Sequence, residues 1–154
     1  MRMRTVRETV LVAAKPESVW EVLVDPYYTP KLYPDMINIK AEPPGRAVVG
    51  QQRTVGGRAG RRLIQFNTQV AELVENKTFA LKGRPGGAME EFSEVVELAA
   101  VKGGTQLTVT YVFKVSESYF GPEFDLLTLE QMAVRNEEVY IKNLKALAEL
   151  RPAG

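Results

Sequence analysis

Residues 125–150 read DLLTLEQMAVRNEEVYIKNLKALAEL, and this run decides the architecture. Leu129, Met132, Ala133, Tyr140, Leu144 and Leu147 recur at three- and four-residue steps, with Asn136 on the same stripe. Glu130, Arg135, Glu138, Lys142 and Lys145 take the other side. The period is helical, one face apolar and the other charged. At about 1.5 Å per residue such a helix reaches on the order of 35–40 Å, enough to cross a whole small domain. An element that long needs a partner as wide as itself.

The residues upstream supply that partner. Thr5–Ala14 alternates as a strand, with Val6, Val10 and Val12 on one face. The period then changes at KPESVWEVLVD, where Pro16 and Glu17 suit a first helical turn and Val19, Trp20, Leu23 and Val24 form an apolar stripe. Asp25-Pro26 ends this helix, and YYTPKLYPD reads as a short second helix or turn, broken by Pro30 and closed by Pro34. From Met36 onward strands alternate with glycine-bearing turns, ending in TQLTVTYVFKV, where Leu107, Val109, Tyr111, Phe113 and Val115 alternate strictly. Gly56-Gly57 and Gly86-Gly87 read as hairpin turns. Connections this short imply antiparallel pairing. The expected fold is α+β: a seven-stranded curved antiparallel sheet wrapped around a long C-terminal helix, with two short helices between strands one and two. No repeat or linker interrupts residues 1–154, which are expected to form one domain. Seven twisted strands curl, and one helix cannot fill so wide a concave face, so a cavity is expected between them.

Composition removes whole classes of function. Lys and Arg total 20 against 19 Asp and Glu, a net charge of +1, which gives no support to nucleic-acid binding. No apolar run approaches the roughly 20 residues of a membrane span, and the arginines of MRMRTVRETVLV precede too short an apolar stretch for a signal peptide. A soluble, cytoplasmic chain, monomeric or homodimeric, is expected. With neither cysteine nor histidine there is no disulfide, thiolate nucleophile, serine–histidine triad or histidine-bound metal. No metal and no cofactor are expected, and any catalysis would rest on carboxylates, lysine, arginine or tyrosine.

Strand one followed by AKPESVWEVLVDPYYTPKLYPD, together with the NLKALAE end of the last helix, resembles the START-like superfamily, also called SRPBCC or helix-grip proteins, with its polyketide cyclase/dehydrase-like members. The most specific pieces are Pro16, Glu17, Val19 and Trp20, with Tyr27 to Pro34 beyond them, and the likeness covers essentially the whole chain. The resemblance implies a deep apolar cavity and a choice among lipid and hormone carriers, quinone-binding proteins and aromatase/cyclases. Its oxygenase members hold iron through histidines, which this chain lacks. The hairpin GGRAGRR does not match the glycine-rich loop of the plant members.

Strand parity nominates the cavity wall. From the sheet come Phe66, Thr68, Phe92, Glu94, Tyr111 and Phe113, and from the helix Met132, Asn136 and Tyr140. Glu94 shares a face with Phe92, Val96 and Leu98, and a carboxyl buried there would have a raised pKa suited to acid–base work. The alternative is a bulge or edge that turns it to water. Arg62 shares parity with Ile64 and Phe66, which makes an Arg62–Glu94 pair conceivable, although a strand's first arginine more often reaches solvent. Arg53 reads either way. Asn136 needs a partner, since burying a bare amide costs roughly 1–3 kcal/mol; either a loop carbonyl or water supplies it, or the cavity does. Trp20 reads as core. Tyr111, Tyr140 and Tyr119 offer hydroxyls on apolar rings, and Phe120 to Phe124 is either a lid or a plain connection.

Three functions remain in play. The leading one is a carrier or sensor that binds a hydrophobic small molecule, lipid-like, quinone-like or aromatic polyketide-like. A cofactor-independent cyclase, aromatase or dehydratase would use Glu94, Arg62 and Tyr111, at least two of which must meet at one spot in the cavity. A protein-interaction module would instead display Tyr27, Tyr28, Leu32 and Tyr33.

Overall fold

The computed structural model describes residues 3–33 and 35–151. Pro34, the expected end of the second helix, lies outside the described residues, as do Met1 and Arg2 of the arginine-bearing start. Strand β1 (Arg4–Val12) is followed by α1 (Pro16–Val24) and α2 (Thr29–Leu32). Next come β2 (Asn38–Glu42), β3 (Gln52–Ala59), β4 (Arg62–Val74), β5 (Thr78–Gly83), β6 (Met89–Val101) and β7 (Gly104–Val115). A single-turn helix α3 (Glu117–Phe120), not foreseen from the sequence, leads into α4 (Leu126–Leu150).

The seven strands form one antiparallel sheet in the order β1-β7-β6-β5-β4-β3-β2. The two short helices carry the chain from one edge of the sheet to the other, and successive hairpins then walk it back until β7 pairs with β1. Register slips at Val70/Glu72 and at Met89/Glu91 bend β4 and β6 and help the sheet curl. On β7 every second residue from Thr105 to Val115 is buried, as the alternation required.

One turn sits elsewhere than expected. Gly56 and Gly57 lie within β3, and the reversal falls after Ala59, with Gly60 at φ +63°. The two strand glycines answer a close approach instead. A Cβ on Gly56 would meet Asn38 Oδ1 at 2.6 Å, and one on Gly57 would lie 3.2 Å from the Asp35 carbonyl.

Helix α4 starts at Asp125, whose side chain accepts from the Leu127 N–H at 3.2 Å and from the Thr128 hydroxyl at 2.7 Å. Asn143 Nδ2 donates to the Leu32 carbonyl at 2.9 Å, and Glu149 accepts from the Ala13 N–H at 2.8 Å, so the helix is tied to α2 and to the end of β1. Two apolar clusters form along it. The C-terminal half, through Tyr140, Ile141, Leu144 and Ala148, packs with Val19, Trp20 and Leu23 of α1 against Val96, Leu107 and Val109. The N-terminal half, through Leu129 and Ala133, joins Phe120 to Ile64, Tyr111, Phe113 and Val115. Each valine, leucine, isoleucine or phenylalanine among them, once buried, contributes roughly 1.5–3 kcal/mol.

The charged face of α4 needs one correction. Glu130 is 6% exposed and pairs with Arg4 at 3.4 Å, because edge strand β1 runs beside the first turns of the helix. No helix among the described residues is long and apolar enough to cross a membrane.

Candidate functional site

Under the first half of α4, walled mainly by the second of these clusters, lies a cavity of about 140 Å³. Strands β3 and β4 contribute Val55, Ile64, Phe66 and Thr68, and the strands beyond them contribute Leu81, Phe92, Tyr111 and Val115. Leu129, Met132, Ala133, Asn136 and Glu137 of α4 form the roof. Tyr33 and Ile39 close one side, and the exposed Asp35 and Arg58 mark the mouth. A wider depression of about 570 Å³ at Arg84–Gly87, Ser116 and Ser118 is polar and superficial.

Three charged side chains reach the cavity from separate elements. Glu94 of β6 is 1% exposed, Glu137 of α4 is 5% exposed and Arg53 of β3 is 6% exposed. Arg53 is held in place: its Nε donates to Gln51 Oε1 at 3.0 Å, and its guanidinium lies 5.6 Å over the Phe79 ring. Gln51 is itself anchored by Nε2 to the carbonyls of Pro43 at 2.9 Å and Gly45 at 3.1 Å. Burial lowers the Arg53 pKa, but a guanidinium keeps its proton in any protein setting.

The two carboxyls act as a pair. Burial pushes the Glu94 pKa up, while hydrogen bonds with Glu137 and Tyr140 and the charge of Arg53 pull the other way. Glu137 is driven well above the carboxylate range, first by burial, then by the charge of Glu94 and their mutual hydrogen bond, with Glu8 adding to it. Two carboxyls so placed resist ionising together, so the pair holds a proton between them. Glu94 Oε1 and Glu137 Oε2 are buried and have no hydrogen-bond partner in the protein. Burial first, and the carboxylates next, keep Tyr33, Tyr111 and Tyr140 protonated, hence donors.

Of the wall residues nominated from sequence, Phe66, Thr68, Phe92, Glu94, Tyr111, Met132 and Asn136 line this cavity. Glu94 and Tyr111 are register partners across β6 and β7, so their side chains stand side by side on the inner face. Phe113 and Tyr140 are displaced from the wall by packing. Phe113 stacks on Tyr111 with ring centroids 4.7 Å apart, and Tyr140 stacks on Tyr33 at 4.9 Å. Asn136 faces the cavity, whereas Asn143 bonds the Leu32 carbonyl at the end of α2.

Arg62 does not pair with Glu94. Its guanidinium donates to the carbonyls of Tyr119 and Phe120, each at 2.7 Å, and lies among the rings of Tyr119, Phe120 and Phe124. The last carbonyls of α3 lack helical partners and the arginine caps them, which fastens the 120–124 link. The Tyr119 hydroxyl accepts from the Gln65 N–H at 2.9 Å and so has a structural partner. Trp20 packs edge-on to Phe79 in the core.

Glu137 was not singled out in the sequence on either side of the helix. A signal existed: Leu129, Ala133, Glu137 and Ile141 climb α4 in steps of four, and all are buried. Residues 3–150 match the family described as polyketide cyclase / dehydrase and lipid transport.

The chain belongs to this family. Among solved structures it is similar to the ZhuI aromatase/cyclase from Streptomyces sp. R1128, with a TM-score of 0.80, 20% identity and 99% of each chain covered. It is also similar to Ara h 8.0201, with a TM-score of 0.70 and 19% identity, over 96% of this chain and 98% of that one. TTHA0849 from Thermus thermophilus aligns with a TM-score of 0.72 and 14% identity, over 94% and 97% of the two chains. At these identities the likeness is one of fold. No curated protein matches the sequence.

Proposed function

We propose that this chain binds a small hydrophobic molecule, aromatic or quinone-like, beneath the first half of α4, as a carrier or sensor. One observation carries the reading: the cavity wall is apolar apart from a few polar groups, chiefly Arg53, Glu94 and Glu137. Apolar walls with sparse polar anchors are what burial of a ligand requires. Volume narrows the choice. A dry cavity of about 150 Å³ accommodates benzene, whereas drug-sized ligands need roughly 300–1,000 Å³. The 140 Å³ cavity therefore suits one ring and a short chain, with any longer tail leaving through the mouth near Asp35 and Arg58.

A cyclase or dehydratase is the second reading, favoured by the Glu94–Glu137 pair. One ionised and one protonated carboxyl side by side can act as base and acid at the same pH. Tyr111 stands beside Glu94, while Arg62, bound to α3, takes no part. The interaction-module reading loses its surface: Tyr27 is 63% exposed, but Leu32 is buried and Tyr33 is stacked on Tyr140.

The test is extraction of gently purified protein with organic solvent, mass spectrometry of the extract, and a thermal-shift screen of aromatic compounds. A ligand at 100 times its Kd adds about 2.7 kcal/mol, and each kcal/mol moves Tm by roughly 2–4 °C at this chain length. A rise of about 5–10 °C is expected. An empty extract together with a flat screen would sink the proposal.

A further inference from the structure

We propose that the buried carboxyl pair of Glu94 and Glu137 receives a protonated amine, so that the ligand is a small arylalkylamine whose ammonium replaces the proton the pair shares. The inference rests on the cavity being a ligand site and adds the chemistry of the head group. Its starting point is two oxygen atoms. Glu94 Oε1 and Glu137 Oε2 are both enclosed and meet no donor group of the protein, and both residues line the cavity. One proton shared by two carboxyls leaves the pair with more acceptor positions than donors. Buried acceptors without donors are rare and costly.

The candidates differ in how well they answer that pair. A hydroxyl has one proton to donate and satisfies one oxygen. A carboxylate has none, and would bring a third acid group against the first two. An ammonium has three donors, enough to serve both carboxyls.

Charge leads to the same choice. In the empty cavity the proton held by the pair leaves one carboxylate charge for Arg53 to balance. When an ammonium arrives and that proton leaves, two cations face two carboxylates and the cavity stays neutral. The surrounding groups allow the exchange. Tyr140 on α4 bonds Glu94, and Tyr111 on β7 and Tyr33 after α2 stay neutral donors. Asn136 is uncharged, Glu8 on β1 adds negative potential at Glu137, and Arg53 is held across on β3 by Gln51 and Phe79. An amine beside Glu137 thus has two buried carboxyls and Glu8 in its favour. The volume of about 140 Å³ limits the body to one ring and a short chain.

Titration calorimetry of the full chain at pH 6 tests this with 2-phenylethylamine and its neutral isostere n-propylbenzene, each in two buffers of different ionisation heat. The amine is expected to bind at least roughly tenfold more tightly and to release about one proton per molecule bound, as cation-for-proton exchange requires. Glu137→Gln is expected to abolish the proton release and to cost the amine roughly tenfold or more, while propylbenzene affinity changes by less than about twofold. Propylbenzene binding without an amine preference, or amine binding without proton release, overturns the head-group assignment and leaves the cavity reading standing. Failure of both compounds to bind overturns both.

Discussion

The two halves of α4 share one helix and one sheet, yet they do different things. From Tyr140 to Ala148 the helix is pressed between α1 and the sheet, and Tyr140, Ile141, Leu144 and Ala148 are almost entirely enclosed. From Leu129 to Glu137 its inner face looks onto the cavity, with Phe120 of α3 packed in the same cluster as Leu129 and Ala133. The difference is one of support. Helices α1 and α2 lie against the second half and draw it onto the sheet, while the curl of the sheet leaves the first half spanning a gap. The molecule keeps its stability at one end of a rod and its opening at the other.

The largest test of that contrast is Leu144→Ala. With no exposure and full contact all round, it is expected to cost about 2–5 kcal/mol, read as a fall in Tm. Leu129→Ala removes the same atoms beside an existing void, where one side of the residue already lacks contacts, and is expected to cost about half as much. Equal losses at the two positions would break the comparison. Next in size is Arg62→Ala, which frees two carbonyls from a charged donor and is expected to cost roughly 1.5–3 kcal/mol. It should also make the 120–124 link sensitive to limited proteolysis, whereas an unchanged cleavage pattern would mean the clamp holds nothing.

These residues also show what the sequence made legible. Period-two alternation in β7 and the three-four stripe of α4 reveal sheet, helix and inner face, because burial imposes those periods directly. Parity left Arg62 between the inner face and solvent, and its guanidinium lies among the rings of Tyr119, Phe120 and Phe124. Its partner was out of reach of pattern, since α3 has only four residues and no period, and its loose carbonyls claim the guanidinium. Glu137 was hidden for a different reason. A glutamate on a helix is ordinarily solvated, and only its carboxyl partner on β6, far away in the chain, makes burial tolerable. Gly56-Gly57 looked like a turn because glycine marks both tight turns and close approaches, and the sequence does not say which applies.

That hidden glutamate supplies the third test. A carboxyl whose pKa is raised by folding binds more protons in the folded state, so its contribution is fully favourable below the unfolded value and is lost as pH rises through the folded one. Glu137→Gln removes the loss. It is expected to leave stability unchanged near pH 4 and to raise it by at least about 1 kcal/mol at pH 8, since one pKa unit corresponds to ~1.36 kcal/mol. Denaturant midpoints across that range decide the matter. A variant less stable at pH 8 than the parent would mean the carboxyl pair supports the open half of the helix instead of burdening it.

The smallest expected change in stability is also the sharpest comparison. Ala133 and Ala148 are both buried alanines on the inner face of α4, one over the cavity and one in the packed half. Enlarging Ala148 to leucine forces side chains into space already filled and is expected to cost about 1–3 kcal/mol. Ala133→Leu pushes the same atoms into the void, so its effect on Tm should be within about 1 kcal/mol of zero. Its effect on the ligand should be large, because the added carbons take up the volume in which a ring would lie. A thermal-shift response that disappears in Ala133→Leu and persists in Leu129→Ala would locate the ligand under the first half of the helix. Retention of the full response in Ala133→Leu would show that the ligand binds elsewhere, and that the gap under α4 is a packing defect with no function.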